Sequence, residues 1–183
     1  MTAPTFVLVS SIYREIPLSR GFVARVSPED YDLLAGMGKW CAKVKRSGVY
    51  AVRKHRFPEG WREVQMHRVV MGEPEGFVDH RNGDGLNNLR DNLRPATPVE
   101  NMQNSRLSRR NKSGYKGVSF HRATQKWQAA IRVEGRNYGL GSSFPTPEAA
   151  ALAYDKAARQ HFGAFAALNF PEPGERTVLR AEE

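Results

Sequence analysis

The chain of 183 residues contains little cysteine and no long apolar run. Its single cysteine, Cys41, excludes an internal disulfide and any zinc site built on two or four thiolates, and fits a reducing compartment. No apolar run approaches the roughly 18 residues of a membrane span. The N-terminal residues also lack a cationic segment followed by a long apolar one. We therefore expect a cytoplasmic protein with no membrane partner.

The composition is that of a basic globular protein. With Gly counted and Tyr omitted, about 45% of the residues are apolar, which excludes wholesale disorder. There are 28 Lys and Arg against 19 Asp and Glu, a formal net charge of +9. Such a charge favours a polyanion as partner. The length allows one domain or two small ones.

The positive charge is concentrated in one part of the chain. Residues 106–136 contain nine Lys or Arg and a single acid, Glu134. Within this region, residues 106–113 are polar and without apolar periodicity, which predicts a linker. Its cations are either solvated or in contact with phosphate: Arg109, Arg110 and Lys112. We divide the chain into a module of residues 1–105, this linker, a module of residues 114–171 and a tail of residues 172–183.

The first module is predicted to be rich in strands. Residues 21–26, 40–45, 49–55 and 61–66 mix β-branched or aromatic residues with polar ones. Between the first two strands, Ser27-Pro28 predicts the start of a helix. Trp40 and Trp61 are predicted to be core aromatics.

Residues 77–104 carry the most informative pattern. We expect a strand at residues 77–80, a turn at residues 82–85 and a returning strand at residues 92–96. Thr97-Pro98 with Glu100 predicts a helix with a capping box, and this helix contains Asn101. A strand, loop, strand and helix in this order can bring Asp79, His80 and Asn101 together.

These three residue types suit hydrolysis of a phosphodiester. A carboxylate and an amide carbonyl are ligands for a hard divalent cation. A neutral imidazole can take a proton from an attacking water at physiological pH, while a metal steadies the leaving oxygen.

Other interpretations of the same residues exist. A calcium loop that starts at Asp79 fails, because its third and twelfth positions are Arg81 and Arg90. Zinc is poorly served, since no thiol or HExxH motif is nearby. An Asp-His pair is also common as a satisfied feature of a turn, so the spacing alone leaves a metal site and a turn feature both open.

The pattern Val78-Asp79-His80-x₁₁-Asn92 followed by Glu100-Asn101 resembles the HNH endonucleases, in particular the homing type of phages and introns. The resemblance covers residues 64–105 and implies a ββα-metal core with a lead-in helix at residues 66–71. It implies that His80 is the general base and that Asn92 braces the loop that presents it. It also implies that Asp79 and Asn101 bind one divalent cation, Mg²⁺ or Mn²⁺.

Four further residues of this region are weaker candidates. Since the site must bind a polyanion, Arg81, Arg90 and Arg94 are candidate phosphate contacts, although each can equally be solvated. His67 is a packed helix histidine in the interpretation we favour, and a catalytic one in the alternative.

The second module is predicted to be three strands followed by one helix. Trp127, Ala129, Ile131 and Val133 alternate with polar or small residues, and Glu134-Gly135 predicts a hairpin turn. Thr146-Pro147-Glu148 predicts the start of a helix, and Gly163 its end.

The landmarks from Ser113-Gly114-Tyr115 to Phe170-Pro171 resemble an APETALA2-type DNA-binding domain. That family lays a three-stranded antiparallel sheet into the major groove and packs one helix behind it. Ser119 and His121 stand where plant members use base-reading Arg, and a groove-facing Trp is replaced near Gly139, so we expect mostly phosphate contacts. The resemblance implies these contacts to DNA: Lys116, Ser119, His121, Arg122, Lys126, Gln128, Arg132 and Arg136.

The sequence therefore predicts an α+β, metal-dependent DNA endonuclease of the homing type that nicks duplex DNA as a monomer or weak dimer, in a host cell if a phage encodes it. Two alternatives stay open: a non-catalytic DNA-binding transcriptional regulator with a decayed nuclease module, and a protein that binds or cuts RNA. A chain ending at Ser105 is expected to bind DNA more weakly but to keep the cleavage chemistry.

Overall fold

The computed structural model describes residues 13–108 and 110–179 of the chain. These residues form two compact units with mixed α+β structure. The first unit comprises the described residues up to His80 together with Asp84–Arg94, and the second comprises Arg81–Gly83 and the described residues from Pro95 onward. The boundary between functional modules that the sequence predicts after residue 105 stays a prediction.

The first unit contains two small helices and three small sheets. In chain order its elements are β1 (Arg14–Pro17), β2 (Val23–Val26), α1 (Pro28–Gly36), β3 (Cys41–Lys45), β4 (Gly48–Phe57), β5 (Gly60–Gln65), α2 (Met66–Val70), β6 (Phe77–His80), β7 (Asn87–Asn88) and the first half of β8 (Leu93–Ala96). Strands β3, β4 and β5 form an antiparallel sheet. Strand β2 pairs antiparallel with β1 and parallel with β7, while β6 pairs with β8.

One apolar core holds these elements together. Trp40 is 1% exposed, and its indole Nε1 donates a hydrogen bond to the Leu34 carbonyl oxygen at 2.8 Å. Val26 and Met66 are fully buried in the same cluster. The prediction that Trp40 is a core residue is therefore confirmed.

The corresponding prediction for Trp61 is wrong, because its side chain is 69% exposed. Trp61 lies opposite Arg56 near the end of the β4–β5 hairpin. Strand alternation places both on the face opposite Ala51, which is a core residue. A local apolar pattern does not reveal which face of a strand meets the core.

The second unit is built on a three-stranded antiparallel sheet covered by one long helix. After α3 (Pro98–Gln103), its elements are β9 (Val118–His121), β10 (Lys126–Val133), β11 (Arg136–Phe144), α4 (Pro147–Phe162), β12 (Ala167–Leu168) and β13 (Arg176–Thr177). The sheet order is β9, β10, β11, so the predicted three strands followed by one helix are confirmed. Ala129 and Ile131 are each 2% exposed and belong to the two apolar clusters formed with α4, as their alternation predicts.

The segments predicted to be a linker and a tail are tied into the second unit. The Leu107 backbone N–H donates to the Val178 carbonyl oxygen at 2.9 Å, and Val178 is fully buried. Strand β13 pairs in parallel with β12. These contacts join the residues that flank the second module on either side. The polar composition of the linker did not indicate such packing.

None of the helices within the described residues combines the length and the apolar character of a membrane-spanning segment.

The segment that follows β12 is held by a buried carboxylate. Asp155 of α4 is fully buried and accepts hydrogen bonds from the backbone N–H and the side-chain amide of Asn169, and from the Phe170 N–H. Because Asp155→Ala removes the acceptor of three hydrogen bonds, two of them buried, we expect the free energy of unfolding to fall by about 3 kcal/mol. Urea unfolding followed on amide signals of the second unit measures the change.

Lys156→Ala is the matched control, since Lys156 is the next residue of the helix and is exposed. We expect its effect to stay within about 0.5 kcal/mol. A loss below about 1 kcal/mol for Asp155→Ala would show that other groups satisfy these donors.

Candidate active site and nucleic-acid interface

The loop after β6 is fastened to the core of the first unit. Asp84 forms an ion pair with Arg25 at 2.9 Å, and its other carboxylate oxygen accepts the Leu86 N–H at 3.0 Å. The Arg25 N–H donates to the Leu86 carbonyl oxygen, and β7 then pairs with β2. A side chain at Gly85 would collide with the Val49 carbonyl oxygen and the Tyr50 ring, so the loop packs directly on β4.

His80 ends β6 in a buried aromatic and polar environment. It is 5% exposed, and its Nε2 lies 3.3 Å from Oδ1 of Asn88, which is fully buried. The His67 ring lies edge-on at 4.9 Å between ring centroids, and the Tyr50 ring lies at 6.0 Å. Burial lowers the pKa of His80, and the hydrogen bond with Asn88 opposes that shift. The imidazole is therefore held in its neutral form.

Asn88 also indicates which nitrogen of His80 carries the proton. The Asn88 Nδ2 donates to the Leu86 carbonyl oxygen at 3.2 Å, which leaves Oδ1 facing His80. Because the group facing Nε2 is an acceptor, the tautomer that carries its proton on Nε2 is favoured. The lone pair of the neutral ring then lies on Nδ1.

Asp79 forms a buried ion pair with Arg94 on the neighbouring strand β8. The Arg94 Nε and Nη2 lie 2.8 and 2.7 Å from Oδ2 of Asp79, and both residues are below 10% exposed. A buried carboxylate needs such a partner, because burial of a single charge costs several kcal/mol. Arg94 thus bridges β8 and β6, and the prediction that it contacts phosphate stays a prediction.

Asn92 is 9% exposed and braces the same loop. Its Nδ2 donates to the Asn87 carbonyl oxygen at 2.7 Å. Asn87 is the neighbour of Asn88, so this bond stabilises the strand that contacts His80. The bracing role that the resemblance implies for Asn92 in presenting His80 stays a prediction.

Asn101, the second residue proposed to bind a cation, lies in the second unit. It is exposed on α3, which begins with the predicted capping box: Thr97 Oγ1 accepts the Glu100 N–H, and Glu100 accepts the Thr97 N–H. Asp79, His80 and Asn92 lie together in the first unit. A cation shared by Asp79 and Asn101 remains a prediction.

The other predicted phosphate contacts differ in their surroundings. Arg81 is exposed in the turn after β6, whereas Arg90 makes a bidentate pair with the buried carboxylate of Asp30 at 2.9 and 2.6 Å. Arg110 and Lys112 are exposed, and Arg109 lies outside the described residues. Lys116 is partly buried, and its Nζ donates to the carbonyl oxygens of Gln103 and Ser105.

The face of the second unit's sheet that turns away from α4 gathers polar and basic side chains. Ser119 lies opposite Gln128 and bonds it at 3.0 Å, and His121 lies opposite Lys126. Arg132 continues the same row, while Ala130 and Gly139 leave its centre without large side chains. Arg122 is exposed in the β9–β10 turn and Arg136 is exposed where β11 starts.

A second basic face lies in the first unit, on the sheet of β3, β4 and β5, for which no contact was predicted. The register of β3, β4 and β5 places five residues on the side opposite the core, which we call the outer face: Lys43, Lys45, Lys54, Arg56 and Trp61. Glu63 is the acid on this face, paired with Lys43 at 2.6 Å. Tyr50 is on the same side and contacts the rings of His67 and His80, so the outer face runs up to the buried imidazole.

The chain is similar to Protein 3.8 of Escherichia phage T7, with 35% identity over 83 residues. The match covers 44% of this chain and 69% of the phage protein. The chain belongs to the family of Protein 3.8. No protein-family model matches the chain, and no solved structure matches it at a significant level.

Two further similarities agree with the two family resemblances described above for the sequence of this chain. The chain is 33% identical over 114 residues to a protein of Acanthamoeba polyphaga mimivirus named "Uncharacterized HNH endonuclease L560", covering 58% of each chain. It is 42% identical over 74 residues to the AP2-like ethylene-responsive transcription factor TOE2 of Arabidopsis thaliana, covering 40% of this chain. These matches span 58% and 15% of the relatives' own lengths.

His67 provides a test of the buried imidazole cluster. Burial, with smaller contributions from His80, Arg68 and Lys45, lowers the pKa of His67 from 6.5 to about 3. Below pH 6.5 the unfolded chain therefore binds a proton that the folded one does not, and stability falls by about 1.4 kcal/mol per pH unit until about pH 3. We expect His67→Phe to reduce the loss of stability between pH 7 and pH 5 by about 2 kcal/mol.

Urea unfolding of the two proteins at both pH values measures this difference. His161→Phe is the control, because His161 is an exposed histidine on α4. An equal pH dependence for wild type and His67→Phe would show that His67 titrates normally in the fold.

Proposed function

We propose that this protein is a metal-dependent DNA endonuclease that nicks duplex DNA. The observation that supports this most is a neutral imidazole, His80, buried beside the carboxylate of Asp79 and held by Asn88. Its similarity to a viral protein named as an HNH endonuclease agrees with this chemistry. We propose a ββα-metal core made of β6, β8 and α3.

In this proposal His80 is the general base. With the proton on Nε2 directed at Asn88, Nδ1 is the nitrogen that accepts a proton from the attacking water. As the ring becomes positive, the Asn88 carbonyl oxygen stabilises the charge at Nε2, and the neighbouring carboxylate of Asp79 adds to this. Asn92 fixes Asn87 and with it the orientation of the ring.

The donor chemistry of Asp79 and Asn101 fits a hard divalent cation such as Mg²⁺ or Mn²⁺. Bound there, the ion would supply charge stabilisation at the leaving oxygen of the phosphodiester. Arg94 contacts Oδ2 of Asp79, and its pairing fixes the orientation of the carboxylate. Two protein ligands leave most positions of the ion to water and to the substrate phosphate, as Mg²⁺ prefers.

Affinity for DNA would come from the two basic faces. The sheet of the second unit presents Lys126, Gln128 and Arg132, and the similarity to plant AP2-like factors favours contact through this sheet. The outer face of the first unit adds four cations and an exposed indole. Phosphate contacts of this kind bind many sequences and weaken with salt.

Nicking of supercoiled plasmid with Mg²⁺ tests the cleavage. We expect His80→Ala to lower the single-turnover rate at saturating DNA by about 100-fold or more, because the general base is lost. His161→Ala, which removes an exposed imidazole, should cut at the wild-type rate. Addition of EDTA should abolish cutting by every variant.

Equal cleavage by wild type and His80→Ala would remove this mechanism. If the wild type binds plasmid but leaves it uncut with Mg²⁺ and with Mn²⁺, the protein is a DNA-binding regulator without nuclease activity. The two results are distinguished by the same gel and a filter-binding measurement.

Binding at varied salt tests the sheet of the second unit. We expect the double variant Lys126→Ala, Arg132→Ala to reduce the slope of log K against log salt by about 0.9 for each phosphate that the protein no longer neutralises. Lys156→Ala, on the helix behind the sheet, should keep the wild-type slope. Duplex DNA should outcompete structured RNA at matched salt, and a preference for RNA would contradict binding in the major groove.

A further inference from the structure

The turn that follows His80 is held by two arginines from beyond the predicted nuclease module. Arg106 Nη2 donates to the Gly83 carbonyl oxygen at 2.6 Å. Gly83 has a φ of +67°, and a Cβ there would overlap the guanidinium of Arg176, which is 9% exposed. A side chain at position 83 would therefore strain the backbone and displace the Arg176 guanidinium.

The helix that carries Asn101 is held from the same unit. Lys116 Nζ donates to the carbonyl oxygens of Gln103, the last residue of α3, and of Ser105, both at 2.8 Å. Carbonyls at a helix C-terminus have no partner within the helix, and a cation there also interacts favourably with the helix dipole. Lys116 thus fixes the end of α3 two residues beyond Asn101.

Lys116 is itself fixed to the core of the second unit. Its backbone N–H donates to Oδ1 of Asn169, and Asn169 Nδ2 donates to its carbonyl oxygen. Asn169 is bound by the buried carboxylate of Asp155. Burial and the nearby Arg176 lower the pKa of Lys116 to about 8, so the two cations belong to one neighbourhood.

We propose that Arg106, Lys116 and Arg176 are positioning residues for DNA cleavage, because they hold the turn attached to His80 and the helix that carries Asn101. The inference rests on the proposed endonuclease function. It makes the second unit necessary for the rate of the chemical step as well as for binding. It also runs against the expectation from sequence that a chain ending at Ser105 keeps its cleavage chemistry.

Full-length variants test this inference. Arg176→Ala and Lys116→Met should lower the single-turnover rate at saturating plasmid by about 10- to 100-fold, since small misplacements of reacting groups have effects of this size. The dissociation constant of Arg176→Ala for DNA should change less than about threefold. Arg14→Ala and Lys156→Met are the matched controls, because Arg14 makes an exposed pair with Asp32 and Lys156 is exposed on α4.

Gly83→Ala is a second variant, which displaces the Arg176 guanidinium without removing a cation. Gly83→Ala should also lower the rate at saturating DNA. In the double variant with Arg176→Ala, the fold reduction of the rate should be smaller than the product of the two single reductions. Rates unchanged in folded variants, or effects confined to the dissociation constant, would overturn the inference.

Amide signals of ¹⁵N-labelled protein without DNA separate this inference from the proposed function. The signals of His80, Gly83 and Asn101 should shift in Arg176→Ala or Lys116→Met and stay in place in the controls. If the wild type does not cut, or His80→Ala cuts as well, the proposed function fails, and these signals alone decide the positioning. Signals that stay in place in both variants would overturn it.

Discussion

The candidate site depends on the burial of polar groups that must satisfy one another. Asp79, His80, Asn88 and Arg94 are all less than 10% exposed. Buried without partners, each would cost a substantial part of the small net stability of a domain. The ion pair of Asp79 with Arg94 and the contact of His80 with Asn88 meet this requirement. The first fixes the orientation of the carboxylate and the second that of the imidazole.

This requirement explains why the loop of residues 84–92 is so closely tied to the first unit. The loop has little apolar surface of its own, and short strands such as β7 contribute few backbone bonds. Its order therefore comes from side chains that bond backbone groups: Asp84 to Leu86, Asn92 to Asn87, and Ser27 to Arg90. Asn and Asp are common in such turns because their side chains can replace a backbone partner. The same bonds that order the loop also set the position of Asn88.

Local patterns in the sequence predicted the elements whose causes are local. The capping box at Thr97, the start of α4 at Thr146 and the alternation around Ile131 depend on residues within a few positions of each other, and the structure has all three. Asn88 was missed because its contact with His80 depends on how β7 pairs with β2. Trp61 was assigned to the wrong face, since the register of β4 with β5 decides that face. No short pattern marks Lys116 as the partner of α3, because its polar neighbours look the same whether it is solvated or buried.

In the proposed endonuclease, binding and catalysis would be less sharply divided between the two predicted modules than the resemblances imply. A separate DNA-binding module would need only a flexible connection to a nuclease, and its cations would face solvent. Here Arg106, Lys116 and Arg176 donate to backbone carbonyls or pack on a glycine of the segments that surround the HNH-like pattern. The donors of Arg106 and Lys116 are engaged with these backbone carbonyls, so we connect the two cations with the geometry of the segments they hold. In the proposed endonuclease, affinity would come from the exposed faces, and the rate would depend on how firmly short segments with little apolar surface are held.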